Sequence, residues 1–78
     1  MTSYLYAVQD SEGREVVSAH VDVEKVTDVH AERENDEVRL MFEDVVVETG
    51  TTRADPGSLV LLRWPSDDKL SDPVRHTV

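Results

Sequence analysis

Cysteine is absent from the 78-residue chain, and long apolar runs are absent too. Without thiols there is no disulfide, and every zinc site built on thiolates is excluded. Apolar runs such as Val45–Val47 and Leu59–Leu62 are short, far below the ~20 residues of a membrane-spanning helix. Because Met1–Tyr4 shows no basic cluster followed by an apolar stretch, we expect no secretory signal, no membrane contact and a cytoplasmic location.

The sequence also lacks the local signatures of common catalytic sites. It has only 3 glycines, with no glycine-rich phosphate loop, no Gly-x-Ser-x-Gly elbow and no cysteine nucleophile. Carboxylates are abundant, but a pair of them needs a substrate cleft, which a domain of this size has little material to enclose. We therefore expect no enzymatic activity and no cofactor.

The length of the chain predicts one small domain. A chain of this size buries only about 60–65% of the surface that its unfolded form exposes, so its core is thin. Small domains of this kind often gain stability by association. A homo-oligomer is therefore a reasonable expectation.

Acidic residues dominate the charge, with 17 Asp and Glu against 8 Lys and Arg, a net charge of −9. Lysine is scarce, since only Lys25 and Lys69 are present. Together with the many Val and Thr residues, this composition is similar to that of proteins from salt-loving archaea. At molar salt the Debye length falls to ~3 Å, so crowded carboxylates no longer repel one another at range. The acidity thus predicts adaptation to a saline cytosol.

The charge is uneven along the chain. Residues 1–49 carry 13 acids and 4 bases, whereas residues 50–78 carry 4 of each. This asymmetry favours an acidic surface that faces a partner. Direct nucleic-acid binding is disfavoured, because affinity depends on neutralising phosphates, and Arg53, Arg63 and Arg75 are only scattered bases among aspartates.

Alternation of apolar and polar residues predicts a mostly β fold. We expect a single small antiparallel barrel or twisted meander of five to six strands over residues 1–64, followed by a flexible tail over residues 65–78. Turn residues at Asp10–Gly13, Asn35–Asp36 and Asp55–Gly57 separate the strands. The predicted strands are Tyr4–Val8, Glu15–Val23, Val26–Glu34, Val38–Phe42, Val45–Glu48 and Leu59–Trp64.

The stretch over residues 23–34 fits two structures. As a strand it points Val29 and Ala31 inward; as a helix capped by Asp22 it places Val23, Val26 and His30 on one stripe. Four valines between positions 21 and 29 favour the strand, because β-branched side chains lose rotamer freedom in helices.

Two histidines and two aspartates form the one arrangement suited to metal chemistry. If residues 15–23 and 27–34 form a hairpin, core alternation places His20 opposite His30 and Asp22 opposite Asp28 on the outer face. Directly opposed Cβ atoms lie ~4.5–5.5 Å apart, which suits a shared zinc, nickel or manganese ion. The alternative is a solvated polar face that happens to contain two histidines.

Tyr4, Tyr6, Met41 and Trp64 are candidates for an interaction patch, because aromatics and methionine are enriched at the centres of interfaces. The alternative places the aromatic side chains, Trp64 above all, in the core of a small domain. The strands Tyr4–Val8 and Leu59–Trp64 are apolar on both faces, which is typical of buried central strands.

An acidic run at residues 32–37, continued by Glu43, Asp44 and Glu48, is the basis of one further hypothesis. Such carboxylates are able to imitate nucleic-acid phosphates and occupy a basic protein surface, although charge runs are usually solvated faces. The sequence thus favours a non-enzymatic β domain that acts through protein–protein contact or self-association. An acidic decoy and a divalent-metal module using His20 and His30 are the alternatives.

Overall fold

The structure is a computed structural model that describes residues 2–65, 68 and 70–78. Its described part contains seven strands and, between the second and third, a 3-10 turn at Val26–Asp28. The strands are β1 (Thr2–Gln9), β2 (Glu15–Val23), β3 (Val29–Glu34), β4 (Glu37–Phe42), β5 (Val45–Thr51), β6 (Val60–Pro65) and β7 (Val74–Thr77). In this part of the chain, no helix is long and apolar enough to cross a membrane.

The strands form two antiparallel sheets. The first has the order β2-β1-β6-β7, and the second has the order β3-β4-β5. The mostly β prediction is confirmed, whereas a closed barrel or single meander of five to six strands is wrong. The second sheet folds back over one face of the first, so the chain builds two layers around one core.

The prediction of a flexible tail over residues 65–78 is wrong for β7. That strand pairs antiparallel with β6, from Val60 opposite Thr77 to Arg63 opposite Val74. The physical reason is that β6 pairs with β1 on one edge, and its other edge presents backbone N–H and C=O groups that β7 satisfies. Ser66, Asp67 and Lys69, also in the predicted tail, lie outside the described residues.

Residues 23–34 are extended for the most part, as the valines indicated. Val23 ends β2 and Val29 begins β3, with the 3-10 turn between them. The turn lets the chain leave the first sheet and enter the second, because the N–H of Asp28 donates to the Lys25 carbonyl (3.0 Å). Strand is therefore correct for residues 29–34 but not for residues 26–28.

The main core lies between the two sheets. Alternate residues of each strand point into it, and Tyr6, Val8, Val38 and Leu40 are at most 1% exposed. A second, smaller cluster lies on the opposite face of the first sheet. Its members are Ala7, Leu62 and Trp64, with Leu5 and Val60 packed against them. Both faces of β1 and β6 are thus covered, as their apolar pattern predicted.

The two sheets come into close contact where β5 passes β2. A Cβ added to Gly50 would lie 2.1 Å from the carbonyl oxygen of Val16, so only glycine fits this position. The chain is bulged nearby, with a register shift at Val8/Gln9 opposite Val17 and Glu15. This corner closes one side of the two-layer fold, while β3 and β7 border the other side.

Candidate binding groove between the sheets

The predicted metal residues do not meet. His20 lies on β2 opposite Leu5, whereas His30 lies on β3 opposite Met41 in the other sheet. The predicted hairpin is wrong because β2 pairs with β1, and Asp28 lies in the 3-10 turn. Among the described residues, no group of three or more His, Asp or Glu is placed to hold a metal ion.

The predicted interaction patch is not one surface. Tyr6 faces the main core, Trp64 lies in the smaller cluster on the other face of the same sheet, and both are buried. Met41 is buried among the residues of the second sheet, opposite His30 and Val46. Tyr4 is half-buried, and its ring meets that of Tyr6 edge-on, with centroids 6.2 Å apart. Three of the four side chains are therefore core residues of this chain.

The acidic run is partly neutralised on the outer face of the second sheet. Glu34 lies directly opposite Glu37, and the guanidinium of Arg39 pairs with both carboxylates. These hydrogen bonds, first that of Glu34 and then that of Glu37, raise the pKa of Arg39. Glu43 and Asp44 lie apart from them, in the turn between β4 and β5. The decoy stays a prediction, since nothing in this arrangement identifies a partner.

An apolar opening lies on the side where β3 and β7 border the gap between the sheets. It consists of a deep pocket of about 290 Å³ and a shallower one of about 470 Å³, joined at Ala31 and Val78. We call the two together the inter-sheet groove. The deep pocket is lined by Tyr6, Val26, Thr27, Val29, His30, Ala31, Leu61, Arg63, His76, Thr77 and Val78. The shallower pocket adds Arg33, Asn35, Pro56, Gly57 and Leu59.

Both strands that border the inter-sheet groove are edges of their sheets. On β7 the N–H of Val78 donates to the Leu59 carbonyl, so by antiparallel alternation the N–H and C=O of Arg75 and Thr77 point away from β6. On β3 the same alternation, fixed by the Glu43 N–H donating to Asp28, turns the backbone groups of Ala31 away from β4. The groove therefore lies between two rows of backbone groups that their own sheets do not use.

The lining of the inter-sheet groove is unlike the rest of the molecule in charge. None of its described residues is Asp or Glu, although the chain has 17 acidic residues among 78. Arg33 donates to the carbonyl oxygens of Ala54 (2.7 Å) and Asn35 (2.9 Å), which fixes the loop after β5. No carboxylate in the described part of the chain pairs with its charge. The acidic chain thus encloses a groove that carries cationic side chains.

Tyr6 lines the deep pocket. Its hydroxyl is buried, and its O–H finds no acceptor among the described residues, while the Arg63 guanidinium lies close enough to act on the phenol oxygen as a donor. Burial raises the pKa of the phenol, and the nearby guanidinium of Arg63 opposes part of that rise. Asp28 lies near enough to add a small upward effect on the same pKa. An unsatisfied buried hydroxyl is rare in folded proteins and is a common sign of a binding or catalytic role.

Arg63 is a functional candidate that the sequence indicated only as one of three scattered bases. On β6 it continues the inward series of Leu59 and Leu61, and its Cζ lies 5.5 Å from the centroid of the Tyr4 ring. This cation–π contact holds the guanidinium beside the deep pocket. The sequence feature that marks Arg63 is its inward position on an otherwise apolar strand. A charged residue at such a position is rarely fully buried without a partner.

The inter-sheet groove combines apolar contact surface, unused strand edges and hydrogen-bond donors, which are the elements of a recognition site. In comparisons with protein-family models, with curated proteins and with solved structures, nothing matches this chain. Its function is therefore argued from the groove alone.

Proposed function

We propose that this protein is a non-enzymatic binding domain that acts through protein–protein contact, by taking an extended segment of a partner into the inter-sheet groove. The observation that carries the proposal is the position of this groove between two sheet edges, β3 and β7. An added strand hydrogen-bonds to such an edge through its backbone, and alternate side chains enter the pockets beside it.

The dimensions of the groove favour a peptide over a compact small molecule. The deep pocket, at about 290 Å³, is at the low end of the roughly 300–1,000 Å³ of typical small-ligand sites. The groove is instead elongated, because it follows β3, whose six residues span about 20 Å at ~3.3 Å per residue. A partner segment of four to six extended residues matches that length.

The charge pattern explains how a chain of net charge −9 keeps the edge of β3 open to a partner segment. Charged side chains on an edge strand usually prevent unwanted pairing. On β3 they are Glu32 and Glu34, which point to the outer face, while Ala31 points into the groove. These charges oppose pairing of β3 with unrelated strands, while the groove itself stays apolar.

One pair of variants tests strand uptake. Ala31 lies where the two pockets join, so Ala31→Trp fills the inter-sheet groove, whereas Glu32→Trp adds the same indole on the opposite face of the same strand. A random heptapeptide display library is selected on the immobilised wild-type protein. We expect enriched peptides that bind the wild type and the Glu32→Trp variant but lose binding to the Ala31→Trp variant.

Backbone involvement is tested on the peptides themselves. N-methylation at alternate residues removes the N–H groups that face one side of an added strand. We expect one alternate set to abolish binding and the other to leave it nearly unchanged. Absence of any enriched peptide, or equal binding to the Ala31→Trp variant, would overturn the proposal. If the mass of the wild-type protein in solution rises with concentration and that of the Ala31→Trp variant does not, the occupant of the groove is a second copy of this chain.

A further inference from the structure

We propose that the deep pocket of the inter-sheet groove receives a side-chain carboxylate, from a Glu or Asp of the inserted segment, on the Tyr6 hydroxyl and the Arg63 guanidinium. This inference rests on the proposed function, since it assigns the chemistry of one side chain in the segment. It concerns the end of the groove where β1, β6 and β7 meet the 3-10 turn.

The first argument is the inventory of hydrogen-bonding groups. A guanidinium carries donors only, so Arg63 has no acceptor to offer the Tyr6 O–H, wherever its nitrogens lie. The Tyr6 O–H has no acceptor in the described part of the chain, even though the Arg63 guanidinium lies close to its oxygen. Two converging donors without an acceptor are completed by a ligand that brings one. A carboxylate brings two acceptor oxygens and a charge opposite to that of Arg63.

The second argument is the electrostatic environment. Arg63 forms no ion pair with a carboxylate among the described residues; its ordered contact is with the Tyr4 ring. Asp28 and Glu32 adjoin lining residues along the chain but do not line the pocket themselves. Asp28 lies in the 3-10 turn, and Glu32 is paired with the His30 imidazole (3.2 Å) on the outer face. An incoming carboxylate therefore meets a cationic site inside an otherwise acidic molecule.

The third argument is burial. Apolar side chains of Val29, Leu61 and Val26 form the walls around the two donors. In such surroundings a charge-assisted hydrogen bond is stronger than in water, and an unpaired charge is costly. The same walls reject a lysine or arginine at this point of the segment, because a second cation would be buried beside Arg63. The pocket thus selects for charge as well as for shape.

The experiment reads the position-specific composition of the heptapeptides selected on the wild-type protein. We expect Glu or Asp to be enriched at one fixed position. Replacing that Glu by Gln should weaken binding to the wild type about tenfold or more, as measured by titration calorimetry. With Arg63→Gln the Glu and Gln peptides should bind equally, whereas the control Arg53→Gln, whose residue lines other pockets, should keep the preference.

The outcomes separate the two proposals. Peptides that bind the groove with no acidic preference would overturn the carboxylate inference and leave strand uptake standing. Failure to select any peptide would overturn both. Because Arg63→Gln could fail to fold, Tyr6→Phe provides a second variant; it keeps the ring and removes one donor. We expect it to reduce the Glu-over-Gln preference severalfold, and an unchanged preference would contradict the role of Tyr6.

Discussion

Replacing Tyr6 by phenylalanine should stabilise this protein, although most substitutions in a core destabilise it. The ring of Tyr6 is packed in the main core and meets Tyr4 edge-on, and phenylalanine keeps both contacts. Only the hydroxyl is lost, and in the described structure its buried O–H has no acceptor. The Arg63 guanidinium beside the phenol oxygen keeps its contact with the Tyr4 ring. Leaving such a group unsatisfied costs roughly 1–3 kcal/mol. Part of that gain is offset by the small void that the missing oxygen leaves.

We therefore expect Tyr6→Phe to raise the free energy of unfolding by about 1 kcal/mol. For a domain of this size such a change raises Tm by roughly 4–8 °C. Thermal and urea melts followed by circular dichroism, at one fixed salt concentration, measure both quantities. Tyr4→Phe is the matched control, because Tyr4 is only half-buried, and we expect its Tm to change little.

The stabilities of these variants should also depend differently on alkaline pH. Burial raises the pKa of Tyr6 in the folded state above the ordinary value of about 10. Because the folded state resists ionisation of this phenol, the wild type keeps its full free energy of unfolding below pH 10. It loses part of that free energy as the pH rises through the folded pKa. The advantage of Tyr6→Phe over the wild type should therefore widen above pH 10. A Tm that falls in Tyr6→Phe at neutral pH, or an advantage that stays flat into alkali, would refute the reasoning about the orphaned hydroxyl.

Two further changes test other parts of the structure. Gly50→Ala should lower the free energy of unfolding by about 3 kcal/mol, because the new methyl group overlaps the backbone of Val16. Chemical denaturation measures this change, with Thr51→Ala as the control. Equal stability of the two variants would contradict the close approach. Raising potassium chloride from roughly 0.1 M to roughly 3 M should increase Tm steeply if the charge of −9 is an adaptation to salt. A Tm that is independent of salt would instead favour a basic partner for the acidic residues 1–49.

Much of the strand pattern was predictable from the sequence, because local alternation carries it. Glu15–Val23 is a strand with the predicted bounds, and the turn at Asn35–Asp36 is where the polar residues indicated. Asn35 adopts a positive φ of 54°, which asparagine tolerates better than most residues. These features depend on neighbours in sequence, so the sequence was sufficient to predict them.

The pairing of strands was not predictable in the same way. Period-two alternation assigns each side chain to a face but does not identify the neighbouring strand. The metal hypothesis depended on pairing residues 15–23 with residues 27–34, and the short 3-10 turn instead separates these strands into different sheets. The inter-sheet groove was missed for the same reason, since Ala31, Arg63 and Thr77 come together only through the packing of three strands from two sheets.

The strand β7 was missed for a different reason. Val74–Thr77 is short, follows a proline and contains Arg75 and His76, so its own pattern is weak. Its stability comes instead from β6, whose edge supplies the backbone hydrogen-bond partners of β7. That pairing is long-range, so the local sequence of residues 74–77 does not reveal it.

The close approach of Gly50 to Val16 has a consequence for how the molecule opens. The two sheets are in backbone contact at this corner, whereas on the side of β3 and β7 they are separated by the inter-sheet groove. Local fluctuations of a native protein begin where buried contacts are few. The layers should therefore part first on the groove side and pivot about the Gly50 corner, so that backbone amides of β7 exchange with solvent long before those near the corner. We therefore expect Gly50, which leaves no room for a side chain, to lie at the pivot of this opening motion.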